Sequence, residues 1–302
     1  MPDGAREILR FAEGWGRRTY PVPWSLRDAI TYAIAAGADA HNGRDLVWES
    51  APGFRTLATF ATRFAGEALV GFAEGTQDRG LVSFARAVRV RVHRPLPAEC
   101  GDAVASAALG VAEHTGDRLV LRLDVETSSP GGPIADSSLD VHFRLPGPRA
   151  ARRPPPPTRD DFERAAWTVE ARETVRPYQA AVFRTLLGPT ADGRMRDAMH
   201  IDPAESRKLG LSAPALPGEV TLGIVARLAR QNSARLGVGE LRGAAVSYLR
   251  PVSDDDRLVV GFAPAGGGSV RVRAVNGDGR VALRGELDFH TDSTDADHRE
   301  AL

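Results

Sequence analysis

The hydrophobic positions of this chain follow two periods, helical and then strand-like, and that succession occurs twice. In the first pass TYAIAAGA, residues 31–38, reads as helical. After a loop, FRTLATFATRFAGEAL places Leu57, Phe60, Ala61, Phe64 and Ala68 at helical spacing, so that helix buries one face. The period then falls to two. Apolar and polar residues alternate over 83–92, 103–112, 118–127 and 133–143, broken by the turns PLP, HTGD and SSPGG, which predicts antiparallel strands.

The second pass repeats the order. QAAVFRTLLG reads as helical, a long polar loop follows, GEVTLGIVARLARQN forms a second helix, and strands are predicted near 244–250, 257–263, 269–275 and 280–290. Local similarity supports a duplication: Arg94-Pro95-Leu96 matches Arg250-Pro251-Val252, and Leu139-Asp140-Val141-His142 matches Leu287-Asp288-Phe289-His290. Between the halves, four consecutive prolines from Pro154 to Pro157 forbid helix or inner strand and favour extended chain. The expected division is therefore a first unit over 1–145, a linker over 146–160 and a second unit over 161–302. Two helix-then-sheet units with one apolar sheet face each pack most simply as one continuous antiparallel sheet around two helices.

Composition narrows the function classes. With 302 residues and 42% apolar content the chain can bury a sizeable core. Lys+Arg and Asp+Glu are both 39, so no net field recruits nucleic acid or a membrane surface, and an acidic ligand must be met by local arginines. Cys100 is the only cysteine, which excludes an internal disulfide and a Cys-based zinc site and fits a reducing cytoplasm. Asp3, Glu7 and Glu13 interrupt any secretory apolar region, and no run of about 18 apolar residues occurs, so no membrane partner is expected. Motifs for serine hydrolases, P-loop nucleotide binding, zinc proteases and RNA binding are missing, and no metal or cofactor is implied. Gly277-Asp278-Gly279 with Ala282 fits a dinucleotide pattern formally, but strands flank it and a hairpin turn is the better reading.

The polar chemistry concentrates between Asp197 and Leu228. His200 lies just before a helix that Asp202 is placed to cap, with Pro203 in its first turn and Glu205 in a capping-box position. Pro217-Gly218 opens the second long helix, where a glycine admits close approach and first-turn amides, with the helix dipole, favour a developing negative oxygen. Glu219 is a further acid in that turn. His142 and His290 hold matching strand positions, as structural residues do more often than ligands. A first-half loop with Asp39, His41 and Asn42 is expected not to be a second catalytic loop.

The ordered pieces YAIAAGA, APGFRTLATF, HRPLPAECGDAVAS, QAAVFR, HIDPAESRKLG and PALPGEVTLGIVAR together resemble the double hotdog fold of the MaoC-like family, over nearly the whole chain. That family includes type 2 enoyl-CoA hydratases and (3R)-hydroxyacyl thioester dehydratases. The resemblance implies an α+β architecture of two tandem hotdog units, each a central helix wrapped by antiparallel strands, with the first half shaping an acyl tunnel. It implies (R)-specific hydration of enoyl thioesters, or dehydration of 3-hydroxyacyl thioesters, carried on coenzyme A or acyl carrier protein. Alternatives are a non-hydrating relative (cyclase, isomerase or thioesterase-like) or an acyl-binding subunit whose site has decayed. A homodimer is compatible with hotdog units, which pair their sheets.

In the family the matching histidine works with an aspartate five positions earlier in a D-x-N-P-x-H loop, holding the water that adds to carbon 3. Here Met195 stands at that aspartate position, Asp197-Ala198 replaces Asn-Pro, and Pro217 replaces the histidine before the helix-opening glycine. The loop is also longer than in the family. His200 therefore pairs with Asp197 or Asp192, and the Gly218 amide is the expected oxyanion donor. Arg184, Arg194 and Arg196 are candidates to meet the carrier's phosphates.

Overall fold

The computed structural model describes residues 3–68, 82–115, 118–144, 165–189 and 195–290; the proline-rich linker falls outside them. Ten strands form one sheet: β1 (Arg17–Pro21), β2 (Val82–Val92), β3 (Val104–Thr115), β4 (Arg118–Ser129), β5 (Gly132–Arg144), β6 (Val169–Thr174), β7 (Leu241–Tyr248), β8 (Arg257–Gly266), β9 (Ser269–Val275) and β10 (Val281–Phe289). Their order is β1-β3-β4-β5-β2-β7-β10-β9-β8-β6, with antiparallel neighbours throughout.

Outward from the centre, β2, β5, β4, β3, β1 on one side correspond one by one to β7, β10, β9, β8, β6 on the other. The sheets of the two halves join where β2 pairs with β7, with Val88 opposite Val246 and Val90 opposite Ala244. That pairing satisfies a strand edge which each half alone would expose. The repeated tripeptides follow β2 and β7, and the repeated tetrapeptides lie on β5 and at the end of β10, so sequence and topology report the same duplication.

The helical pattern near Leu57 becomes a 3-10 turn at Ala58–Ala61 that runs on as α-helix over 62–68, with Leu57, Phe60, Ala61, Phe64 and Ala68 all buried. The second central helix, Gly218–Gln231, is buried from Val220 to Ala229 and packs on β7, β8 and β10. Trp24, Tyr32, Phe60, Phe64 and Phe183 form a chain of ring contacts that runs from the first half into the second. Burial alternates residue by residue along β9, as its period of two requires.

Some elements were not expected. The short polar strands β1 and β6 form the outer edges, and an amphipathic helix, Asp3–Trp15, buries Ile8, Ala12 and Trp15 and packs on β3. The turn over Gly277-Asp278-Gly279 is a hairpin turn between β9 and β10, as expected.

Candidate functional site

The loop that presents His200 is held by its own backbone and by one buried arginine. Pro189 and Met195 form an antiparallel bridge on the approach to His200. Arg184 is 7% exposed; its Nε donates to the Arg196 carbonyl at 2.5 Å and its Nη2 to the Met195 carbonyl at 2.8 Å. Of the three arginines that were candidates to meet phosphates, Arg184 thus gives its Nε and Nη2 to the loop backbone. Arg196 donates to the Pro189 carbonyl at 3.1 Å and its charge reaches Glu67 of the first half. Asp192 and Arg194 lie outside the described residues.

Asp197 adopts a left-handed conformation at φ 54°, which an aspartate tolerates better than most residues, and its carbonyl accepts the His200 amide at 3.1 Å. His200 closes the short turn Ala198–His200. The following helix, Pro203–Lys208, is capped by Asp202, which accepts from the Ala204 amide at 2.7 Å. The reciprocal half of the expected capping box is missing, because Glu205 pairs with Lys208 at 2.6 Å instead. Ser206 donates to the Met199 carbonyl at 2.5 Å and ties this helix back onto the His200 turn.

The hydrogen bonding of His200 sets its tautomer. Nδ1 lies 2.5 Å from the Ala215 carbonyl oxygen, which can only accept, so Nδ1 carries the proton and the neutral ring offers Nε2 as a proton acceptor. Burial lowers the imidazole below its ordinary value, more than the Asp197 charge and the Ala215 bond raise it; the Arg184 charge lowers it further. His200 is accordingly a neutral base near pH 7.

The opposing group is Glu219, in the first turn of the second central helix. Burial pushes its carboxyl up to about 7, against the bond from its own backbone amide, and the Asp197 charge adds to the rise. Asp197 thus acts electrostatically on both His200 and Glu219, which places the three in one locality. A Cβ built on Gly66 of the first-half helix would lie 3.8 Å from Glu219 Oε1, so the carboxyl sits between the two central helices. Tyr32 donates to the Glu219 carbonyl at 3.1 Å, fixing that first turn from the first half.

Gly218 is required for a reason other than substrate approach. A Cβ there would stand 2.8 Å from Cζ of Tyr248, so the tyrosine ring already fills the space above the glycine. The Val220 and Thr221 amides both return to the Pro217 carbonyl, which leaves the Gly218 amide as a first-turn donor outside the helical ladder. The Tyr248 hydroxyl is buried without a hydrogen-bond partner, and burial, with the Glu219 charge next in weight, raises it well above its ordinary value. An unpaired buried hydroxyl costs on the order of 1–3 kcal/mol. Gly218→Ala is expected to destabilise the fold by about 1–3 kcal/mol through this overpacking, read as a lower denaturation midpoint, with Gly218→Ala/Tyr248→Ala recovering part of the loss.

The Asp197 charge reaches both His200 and Glu219, and Gly218 directly precedes Glu219 at the start of the second central helix. Tyr248 was missed in the sequence, where it reads as an ordinary strand aromatic. In the first half, the Asp39 carboxylate accepts the His41 and Asn42 amides at 2.7 and 2.6 Å, which lower its proton affinity; this closes an exposed local turn. His142 lies within β5, and the His290 amide donates to the Glu240 carbonyl at 2.7 Å. Among the described residues no group of three or more His, Cys, Asp or Glu side chains is placed to hold a metal ion, and no helix is long and apolar enough to cross a membrane.

No protein-family model matches the chain, and no curated protein sequence matches it. Solved structures do. A MaoC-like dehydratase from Phytophthora capsici superposes with a TM-score of 0.70 at 18% identity, covering 94% of this chain and 99% of that one. The peroxisomal multifunctional enzyme type 2 from Drosophila melanogaster gives 0.67 at 19% identity over 95% of this chain, which spans 52% of the longer protein. HtdX of Mycobacterium tuberculosis gives 0.63 at 13% identity, covering 91% of this chain and 100% of that one. The α+β architecture of helices wrapped by one antiparallel sheet is thus the hotdog fold of MaoC-like dehydratases.

Proposed function

We propose that this protein is a hydro-lyase that interconverts an enoyl thioester and the (R)-3-hydroxyacyl thioester, on an acyl chain carried by coenzyme A or an acyl carrier protein. The observations that support the reading are a histidine whose Nδ1 proton is held by the Ala215 carbonyl, leaving Nε2 as the proton acceptor, and a glutamic acid in the first turn of the second central helix whose carboxyl is pushed up to about 7, both within reach of the Asp197 charge. Hydration requires one group that accepts a proton from water and another that delivers one to carbon.

In the hydration direction His200 Nε2 takes a proton from water as the water oxygen bonds to carbon 3. The carbon 2–carbon 3 π electrons shift toward the thioester carbonyl, which becomes enolate-like. The Gly218 amide and the Tyr248 hydroxyl donate to that oxygen. Glu219 in its acid form then protonates carbon 2, and the proton on His200 returns to Glu219 through solvent to restore the start. Dehydration runs the same steps backwards. Asp197 supports this chemistry through its charge, which favours the imidazolium formed on His200 and the protonated state of Glu219. Glu219 takes the place of the carboxylate whose family position holds Met195.

The test is incubation of the purified protein with crotonyl-CoA, longer enoyl-CoA esters and carrier-bound 3-hydroxyacyl chains, following absorbance of the conjugated enoyl group. Turnover that His200→Ala reduces by about 10²–10⁴-fold is expected. No turnover on any chain length or carrier, combined with tight binding of acyl thioesters that survives His200→Ala, would establish an acyl-binding subunit instead.

A further inference from the structure

The duplicated fold builds the place of the candidate site twice. Matching the tripeptide after β2 to the one after β7 puts Val92 where Tyr248 stands, and Leu57 and Ala58, at the start of the first central helix, take the place of Pro217 and Gly218. A cavity of about 290 Å³ opens there, against Leu57, Val92, Leu96 and Leu241. Its lining holds no histidine, so it has nothing like the Nε2 base of His200. Arg230 borders it from the last turn of the helix that Gly218 opens, roughly 18 Å along the axis, so the two places are separate.

The charges around this cavity nearly cancel, with one exception. Arg230 pairs with Asp45, and Arg55 lies 3.7 Å from the same carboxylate and 4.0 Å from Glu240. Arg242, half-buried at the rim, has no ion-pair partner among the described residues. It also borders a neighbouring polar cavity with Arg91, His93 and Asp288. A wall of mixed character, with Leu57, Val92, Leu96 and Leu241 forming its apolar part and one uncompensated guanidinium at the rim, matches a chain ending in one negative charge. It does not match the several charges of a nucleotide carrier.

We propose that this cavity is a second, non-catalytic binding site for a short-chain to medium-chain carboxylate, with its chain against Leu57, Leu96 and Leu241 and its carboxylate on Arg242. The volume lies at the small end of the range for ligand pockets, as a single acyl chain requires. This site goes beyond the reaction assigned around His200 and stands whether or not that reaction occurs.

The test is calorimetric titration of the whole protein with hexanoate, with hexanol and with free coenzyme A, in the wild type and in Arg242→Leu, Val238→Trp and His200→Ala. Val238 also lines the cavity, and the larger ring would fill it. Saturable hexanoate binding is expected, weakened about tenfold or more in Arg242→Leu, abolished in Val238→Trp and unchanged in His200→Ala, with hexanol also weaker by about tenfold or more. The absence of saturable hexanoate binding overturns the proposal. So does binding that Arg242→Leu leaves intact, or binding lost with His200. If coenzyme A binds with an Arg242 dependence and hexanoate does not, the head group is a phosphate and the carboxylate assignment fails. Arg242→Leu removes no ion pair, and melting temperatures of all variants check folding, so a misfolded Val238→Trp still leaves the wild-type hexanol comparison and Arg242→Leu to decide.

Discussion

Glu219→Gln is expected to lower kcat/KM for the enoyl thioester by about 10²–10⁴-fold and at the same time to stabilise the protein above neutral pH. Both effects have one cause. Burial holds the carboxyl at about 7, against an ordinary 4.5, so the native chain binds this proton more tightly than the unfolded chain does. Below the ordinary value both states are protonated and the group favours the fold in full relation to its neutral form. As pH rises from there through 7 that contribution is lost, amounting to about 3 kcal/mol once the native carboxyl is ionised. Glutamine keeps the shape and never ionises. The variant is therefore expected to match the wild type in stability near pH 4 and to exceed it by about 2–3 kcal/mol at pH 8, measured by urea unfolding at both values. Activity should follow the same proton: kcat/KM in the wild type declines above pH about 7 as the donor ionises, and on the acid side it declines as His200 is protonated, below the ordinary imidazole range. Near wild-type turnover in Glu219→Gln, or an alkaline limb that survives it, removes Glu219 from the chemistry and returns the role to Asp197 or Asp192.

The parts of this arrangement that were legible in the sequence are those with a period. The eight longer strands and both central helices announce themselves by alternation or by helical spacing, and the repeated Arg-Pro and Leu-Asp pairs reveal the duplication because equivalent loops carry equivalent constraints. The edge strands β1 and β6 were not legible: they are short, mostly polar and solvated along one side, so no alternation marks them. Within the site, His200 and Gly218 stood out by their place before a helix, and Glu219 by its first-turn position. The unusual setting of Glu219 was obscured because an acid in a first turn is ordinary on an exposed helix, and only its tertiary burial beside Gly66 and the Asp197 charge sets it apart. Tyr248 is invisible in sequence for a related reason. The fold lays its ring on Gly218, a contact between residues 30 positions apart. Arg184 misleads in the opposite direction, since a helix-end arginine beside a polar loop looks like a surface cation and instead braces the backbone.

Arg227→Leu is expected to cost about 3–5 kcal/mol, the largest stability loss of any single side chain considered, and to lower the melting temperature on the order of 10 °C. Arg227 is 1% exposed in the middle of the second central helix, where the sequence reads merely as the polar side of an amphipathic stretch. Its Nε donates to the Ala36 carbonyl at 2.9 Å, its Nη2 to Glu173 at 2.6 Å and its Nη1 to Gln231 at 3.2 Å. The target is the C-terminus of the first-half helix Leu26–Ala35. That helix ends in a left-handed Gly37, with the Ala38 amide returning to Ala33 and the Gly37 amide to Ile34. This closure leaves the Ala35 and Ala36 carbonyls open, and both are met from the second half, by the buried Gln179 at 2.7 Å and by Arg227. The cation also complements the negative end of that helix. Glycine is needed at 37 twice over: φ is +81°, and a Cβ would stand 3.0 Å from the Arg227 guanidinium. Leucine would leave the Ala36 carbonyl unsatisfied and the Glu173 carboxylate without its partner, and lysine cannot reproduce the fork that reaches three acceptors. The check is thermal and urea unfolding of Arg227→Leu, Arg227→Lys, Glu173→Gln and the double variant Arg227→Leu/Glu173→Gln. A double variant that recovers part of the loss assigns that part to the stranded carboxylate, and what remains belongs to the helix terminus. A loss under about 1 kcal/mol in Arg227→Leu would show that this buried cation contributes little to holding the halves together.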